Sequence, residues 1–220
     1  MHSSKRAIAL SALALMISSA AVVAADNDIY TGFGTTGFVL GYGRTLGDSW
    51  GARVEADAFH YSRDFSTSDV DYTGKLDFKT GGIFGDYFPA SNGFRLTAGA
   101  FIGNNDVTGH GRPRNGTYTI NGQTYAAAGQ YLDFDADLPT VRPYLGVGYG
   151  HTPHNGGQAG FTFFADLGVA YGRPDVSLSA SPELAAAAGQ NIEEERNDLQ
   201  DKADKLRFFP VVRVGVGYAF

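Results

Sequence analysis

The residues best suited to chemistry are few and scattered. His60 and Ser62 stand two apart in His60-Tyr-Ser62. On an extended strand they share a face, which places His60 to act as a base toward Ser62. A hydrolytic site also needs a group that orients the base and a donor for an oxyanion, and the following Arg63-Asp64-Phe65 gives no spacing that assigns them. His151-Thr-Pro-His154 is a candidate metal pair. A turn without cysteine or a carboxylate cluster favours solvated histidines instead. Asp133, Asp135 and Asp137 have ligand-like spacing for calcium but lack the glycine and closing glutamate of such a loop. On a strand they share one face, expected to point into a barrel mouth in a structural role. No catalytic residue, metal ligand or cofactor is assigned.

Charge at alternate strand positions is the more extensive pattern. Arg53, Glu55 and Asp57 alternate with Val54, Ala56 and Ala58; Arg95 alternates with Phe94 and Leu96; Arg142 with Val141 and Pro143; Asp166 with Ala165 and Leu167. Lys75, Asp77 and Lys79 oppose Leu76 and Phe78. A parity switch at Gly81-Gly82, expected as a bulge, then puts Asp86 on the charged side and Ile83 and Tyr87 on the other. Arg213 opens the final alternation, with Val214, Val216, Tyr218 and Phe220 on one face and Gly215 and Gly217 on the other. If these charges face inward, the near-balanced set closes a narrow lumen as an ion-pair network, because an eight-stranded barrel is only about wide enough for side chains to fill.

The elements that must position these residues are long strands joined by turns. Alternation runs through seven long strands from Ile29 onward, and Asp28–Gly34 is the best candidate for an eighth, as bacterial barrels need even numbers. Thr117–Tyr125 reads as a hairpin on Asn121-Gly122. One strand is expected over about 132–149. Ser181-Pro182 starts one helix, about 182–207, with a side-chain cap and proline at the first position. Ile192, Leu199 and Leu206 repeat every seven residues, a stripe that packs across the barrel mouth or lies on the membrane surface. Its mostly acidic charge disfavours the surface, so a cap or a partner-facing projection is expected, with Gly189 a point of interruption. Trp50, Tyr87, Phe88, Phe94, Tyr149, Phe161, Tyr218 and Phe220 cluster near short turns at 46–50, 89–93 and 154–158, as in an interfacial girdle. The fold class is therefore all-β: an eight-stranded antiparallel transmembrane barrel with a helix before the last strand.

Composition narrows the setting. Lys5-Arg6, the apolar run to Ile17 and Val23-Ala-Ala25 have the layout of a secretory signal peptide cleaved after Ala25, and the run is shorter than the roughly 20 residues of a spanning helix. Residues 26–220 then form the barrel with 15 basic against 23 acidic groups, a net of −8 that disfavours nucleic-acid binding. With no cysteine, neither disulfides nor thiolate ligands are in play. Thirty glycines beside 28 Phe and Tyr fit a crowded closed barrel.

The final octet Arg213-x-Gly215-x-x-Tyr218-x-Phe220 resembles the carboxy-terminal assembly signal of outer-membrane barrels. Gly34-Thr-Thr-Gly37, Pro143-Tyr-Leu-Gly-Val-Gly148, Phe164-Ala-Asp-Leu-Gly168 and the acidic helix are similar, in that order, to a group of small outer-membrane proteins of OmpA/OmpW-like architecture. The resemblance implies an outer-membrane location, contact with membrane lipid and lipopolysaccharide, and a last strand read by the barrel-assembly machinery. A monomer is expected. His60-x-Ser62 resembles the His-x-Ser of outer-membrane lipid A deacylases, without their asparagine-rich context. The expected role is non-enzymatic: structural, surface interaction, or narrow passage of small solutes. The rivals are a lipid A-modifying enzyme and a soluble periplasmic ligand-binding barrel.

Overall fold

Alternating segments with two differently solvated faces are satisfied by closing on themselves. In the computed structural model, which describes residues 26–66, 70–89, 93–151 and 159–220, the chain forms twelve strands and one long helix. They are β1 (Asn27–Gly34), β2 (Gly37–Thr45), β3 (Trp50–Ser66), β4 (Val70–Tyr87), β5 (Phe94–Pro113), β6 (Thr117–Ile120), β7 (Gln123–Ala126), β8 (Leu132–Asp137), β9 (Val141–Tyr149), β10 (Gly160–Tyr171), β11 (Asp175–Ala180), α1 (Pro182–Ala203) with a 3-10 turn (Asp204–Leu206), and β12 (Phe208–Ala219). The cleavage-signal expectation for residues 1–25, His154 and most of the turns at 89–93 and 154–158 lie outside the described residues.

Eight strands close a ring in the order β1-β2-β3-β4-β5-β9-β10-β12 and back to β1. The short first strand exists and makes the seam with β12, from Asp28 opposite Ala219 to Gly34 opposite Arg213. Strand length then separates two regions. A tilted strand crosses a bilayer in about 9–11 residues. β1, β2 and β9 have 8, 9 and 9 residues, whereas β3, β4 and β5 have 17, 18 and 20. The long strands therefore rise well beyond the barrel at one end.

That rise explains where the sequence expectation breaks. The strand expected over 132–149 is interrupted at Leu138-Pro139-Thr140, where proline removes a ladder donor. β9 pairs with the first half of β5 and β8 with its second half, and β11, not expected from the sequence, adds to β8. Leu138 N–H to Asn105 O (3.1 Å) and Gly103 N–H to Thr140 O (2.8 Å) carry the hydrogen bonding across the break.

The extended sheet has its own apolar core. Tyr118 and Ile120 from β6 pack with Leu184, Ala188 and Ile192 of α1 and with Val70. The β6–β7 hairpin turns on Asn121 and Gly122, both at positive φ as a tight primed turn requires. Its tip is tied to the helix by Asn121 N–H to Glu195 (3.0 Å) and Asn121 Nδ2 to Glu194 (2.5 Å). Gln200 covers the free edge of β11 by accepting from Val176 N–H at 2.8 Å, and Arg173 pairs with Asp204 through two bonds of 2.7 and 2.6 Å. Two local expectations fail. Ser181 stands at the N-cap, but its hydroxyl bonds Gln130 and makes no side-chain cap, and α1 runs unbroken through Gly189.

Deleting 183–205 is therefore expected to leave the barrel folded, still shifting its gel migration on heating. It should greatly speed amide exchange in β6, β7 and β11, since each large apolar side chain removed contributes roughly 1.5–3 kcal/mol of burial. Unchanged exchange in those strands would contradict the packing role of α1.

Candidate functional site

The ring fills its own interior. Arg53, Glu55, Asp57, Asp86, Arg95, Asp166 and Arg213 all project inward and are nearly inaccessible, Arg95 at 0 % and Arg213 at 1 % exposure. Arg53 donates to Asp86 at 2.5 and 3.2 Å. Asp86 also accepts from Thr97 at 2.6 Å and lies 3.3 Å from Arg95 Nε. Arg95 continues to Asp166 and to Gly150 O at 2.8 Å. Arg213 pairs with Glu55, which accepts from Tyr30 Oη at 2.9 Å, and lies 3.8 Å from both Asp57 and Asp166. Three guanidiniums thus interleave with four carboxylates. Arg142, also buried, supplies a fourth cation nearer the outer end, held by Thr80 Oγ1 at 3.2 Å and Pro139 O at 3.0 Å.

Aromatic rings close the spaces on either side of this network. Phe84, Phe101 and Tyr144 meet edge to face at 5.2, 5.4 and 5.5 Å between centroids, a favoured geometry. The Arg213 guanidinium lies 5.6 and 5.5 Å from the Phe84 and Phe101 centroids, within cation–π range. A second group joins Tyr30, His151 and Phe164. Inward glycines make room for these rings: a Cβ at Gly146 or Gly168 would collide with Tyr144, and one at Gly215 with Phe164.

Several sequence-derived placements need correction. Lys75, Asp77 and Lys79 do not belong to the lumen network. The β3–β4 register runs unbroken from Trp50 opposite Tyr87 to Ser66 opposite Asp71, with no bulge at Gly81-Gly82. These three residues lie on the same outward face as Ile83 and Tyr87. They read as inward because the outward face changes from apolar to polar where the strand passes the end of the barrel. Lys79 pairs with Asp77 at 3.1 Å out on that surface. Asp133, Asp135 and Asp137 do share a face, but Phe134 and Ala136 line the mouth and the aspartates face away, with Asp133 on His110. Phe88 is buried, following the inward parity of Phe84 and Asp86, and does not join the girdle. His151 is not solvated: it is buried against Tyr30, with Nδ1 2.6 Å from Asp28. Among the described residues no group of three or more potential ligands could hold a metal.

The remaining girdle aromatics are exposed and paired across strands at one rim. Trp50 faces Tyr87, Phe94 faces Tyr149, and Phe161, 82 % exposed, faces Tyr218. At the other end Phe33 lies opposite Phe38 and Tyr171 opposite Phe208. Between the two rims the outward residues are Leu40, Val54, Ile83, Leu145, Leu167 and Val214. His60 and Ser62 also share the outward face of β3, above this band, where His60 is 3.7 Å from Asp77 and Ser62 stands opposite Lys75. At the end of the chain, Val214, Val216, Tyr218 and Phe220 are outward and Arg213 inward.

Above the aromatic trio the mouth opens into a cavity of about 450 Å³. Phe101, Phe209 and Val211 form its floor, Phe78, Val107 and Phe134 one wall, and Leu199 and Leu206 of the helical segment the other. The stripe Ile192/Leu199/Leu206 is thus divided between two tasks, with Ile192 in the module core and the other two at the cavity. Nothing in the local sequence marked this cavity. Its walls come from seven strands and the helical segment, brought together only by the tertiary fold.

The outward surface also carries a like-charge row. Asp77, Asp106, Asp137 and Asp175 stand in register on β4, β5, β8 and β11. Partial burial, and then Asp137 beside it, push the Asp106 carboxyl above its ordinary range. A carboxyl raised in the folded state lowers stability as pH climbs through its pKa. Asp106→Asn is therefore expected to slow amide exchange in β5 and β8 at neutral pH and to make no difference in acid below the ordinary carboxyl range. The same effect at both pH values would rule out the charge explanation.

No family model and no curated protein sequence matches this chain. Solved structures that resemble it include two outer-membrane proteins of one organism. The crystal structure of CarO from Acinetobacter baumannii is 20 % identical, covering 90 % of this chain and 99 % of that one with a TM-score of 0.55. That of CarO2 from the same organism is 19 % identical, covering 88 % and 98 % with a TM-score of 0.58. At these identities the likeness is one of fold.

Proposed function

We propose that the protein is a non-enzymatic outer-membrane barrel whose lumen is closed and whose role lies in the surface module it holds above the membrane. The observation that carries the reading is the interior: interlocked guanidiniums and carboxylates with aromatic rings on both sides leave the mouth cavity a dead end over Phe101, Phe209 and Val211. A water-filled passage needs a hydrated wall, and these charges are instead buried and turned toward one another as ion pairs. Narrow solute passage is the weaker reading for that reason.

The location is supported by the outward apolar band between two aromatic rims, which suits a bilayer and not water, and by the shared fold with CarO outer-membrane proteins. Membrane lipid and lipopolysaccharide are then the natural surroundings. The octet Arg213, Gly215, Tyr218 and Phe220 is the segment offered to the assembly machinery, and one copy closes its own ring as a monomer. Against an enzyme, His60 and Ser62 lie on an exposed outward surface away from the cavity. The test is fractionation: recovery with the outer membrane and heat-dependent gel migration are expected, whereas recovery in the soluble periplasmic fraction would overturn the reading.

A further inference from the structure

The mouth cavity has the composition of a binding site. At about 450 Å³ it falls within the roughly 300–1,000 Å³ of small-molecule pockets. Its walls are apolar, with a few hydroxyl and amide groups, and the charged residues among its lining are Arg142 and Lys202, both positive. The two cations differ in availability. Arg142 is buried in the floor and already donates to Thr80 and Pro139. Lys202 stands exposed at the rim on the last turn of α1 and makes no ion pair among the described residues. Asp198, one turn earlier, is outside the lining, and Asp204 is engaged by Arg173 and Gln200.

We propose that this cavity binds the hydrocarbon chain of a small single-chain anionic amphiphile, with its head group against Lys202 and its tail on Phe78, Val107, Phe134 and Leu199. Shape supports a chain. The wall is low where Thr35-Thr36 joins β1 to β2, and high where β4 and β5 rise. Thr35 Oγ1 seals the seam there by donating to Pro210 O at 3.0 Å and accepting from Val212 N–H at 3.1 Å. Exposed Phe33, Phe38 and Phe208 surround that low side, and Leu206, 65 % exposed, continues the apolar surface into the cavity. An alkyl chain can therefore pass from the membrane-facing aromatics over the Thr35-Thr36 turn to Leu206 and into the pocket. Charge supports the sign of the head group, because a cationic amphiphile would meet Lys202 with no carboxylate in the lining to offset it.

The test uses the full protein in lipid nanodiscs with a diazirine-bearing dodecanoate as probe. Photolabelling is expected on Phe78, Phe134 and Leu199, displaced by dodecanoate far more effectively than by dodecylamine. Lys202→Glu should weaken labelling about tenfold, the order of one partly exposed ion pair lost and a repulsion gained. Ala203→Phe fills the cavity from the helix and Ala136→Leu from β8, and either variant that keeps heat-dependent gel migration should abolish labelling there. Labelling confined to lipid-facing residues such as Leu145 and Phe163 would overturn the site. So would cavity labelling that survives both filling variants. Equal competition by dodecylamine would overturn the anionic assignment. A barrel found to conduct ions would leave these outcomes unaffected, so the two readings fail separately.

Discussion

Replacing Arg213 by alanine is expected to destabilise the barrel by about 3–5 kcal/mol, the cost of removing one partner from a buried ion pair, read from unfolding titrations of protein refolded in detergent or lipid. Arg213 contacts Glu55, lies within 3.8 Å of Asp57 and Asp166, and covers the faces of Phe84, Phe101 and Tyr144. Its removal leaves three carboxylates short of positive charge in a closed interior and takes a flat group from the aromatic stack. Glu55→Gln in the same background should recover part of the loss, because an uncompensated charge is costlier than a neutral amide. The coupling between the two substitutions should fall in the roughly 0.5–3 kcal/mol range of residues in one network. A loss under about 1 kcal/mol, the scale of a surface pair, would mean that water reaches these groups.

Deleting Phe220 separates the folding role of the last strand from its proposed role as a recognition signal. Phe220 N–H donates to Asn27 O at 2.8 Å and Phe220 O accepts from Asn27 N–H at 3.2 Å, the last backbone pair of the β1–β12 seam. Its ring faces outward at the same rim as Tyr218 and Phe161. Two exchanged backbone bonds are together worth about 1–3 kcal/mol, so the truncated protein should still refold in vitro with a modestly lowered midpoint. In cells, membrane-inserted protein should fall by an order of magnitude or more if the machinery reads this residue. Normal insertion in cells would reduce Phe220 to a structural contact.

The fold was legible where one solvent boundary applied along a whole strand. From Arg213 to Phe220, inward Arg213 and Gly217 alternate with outward valines and aromatics, and period-two alternation suffices to read it. Arg53–Asp57 and Arg95 were legible for the same reason. Lys75, Asp77 and Lys79 mimic inward residues because polarity on the outward face reverses where β4 leaves the barrel, so polarity there no longer reports facing. The same cause misplaced Asp133, Asp135 and Asp137. Tyr144 and Phe164 fell on the inward side of their alternations, yet their role as fillers depends on glycines in neighbouring strands, such as Gly168 beside Tyr144. His151 lies 123 residues from Asp28 in sequence, and no local spacing could join them. The mouth cavity was hidden for the same reason.

A sealed lumen passes no ions, and planar-bilayer recording of the purified full-length barrel in molar potassium chloride reads this without an intermediary. A baseline without discrete conductance steps is expected, at a protein density where heat-dependent gel migration confirms folded insertion. Reproducible, long-lived openings of uniform size would contradict it, because they require a continuous water path through Arg53, Arg95 and Arg213 where the structure places mutually paired charge and packed rings.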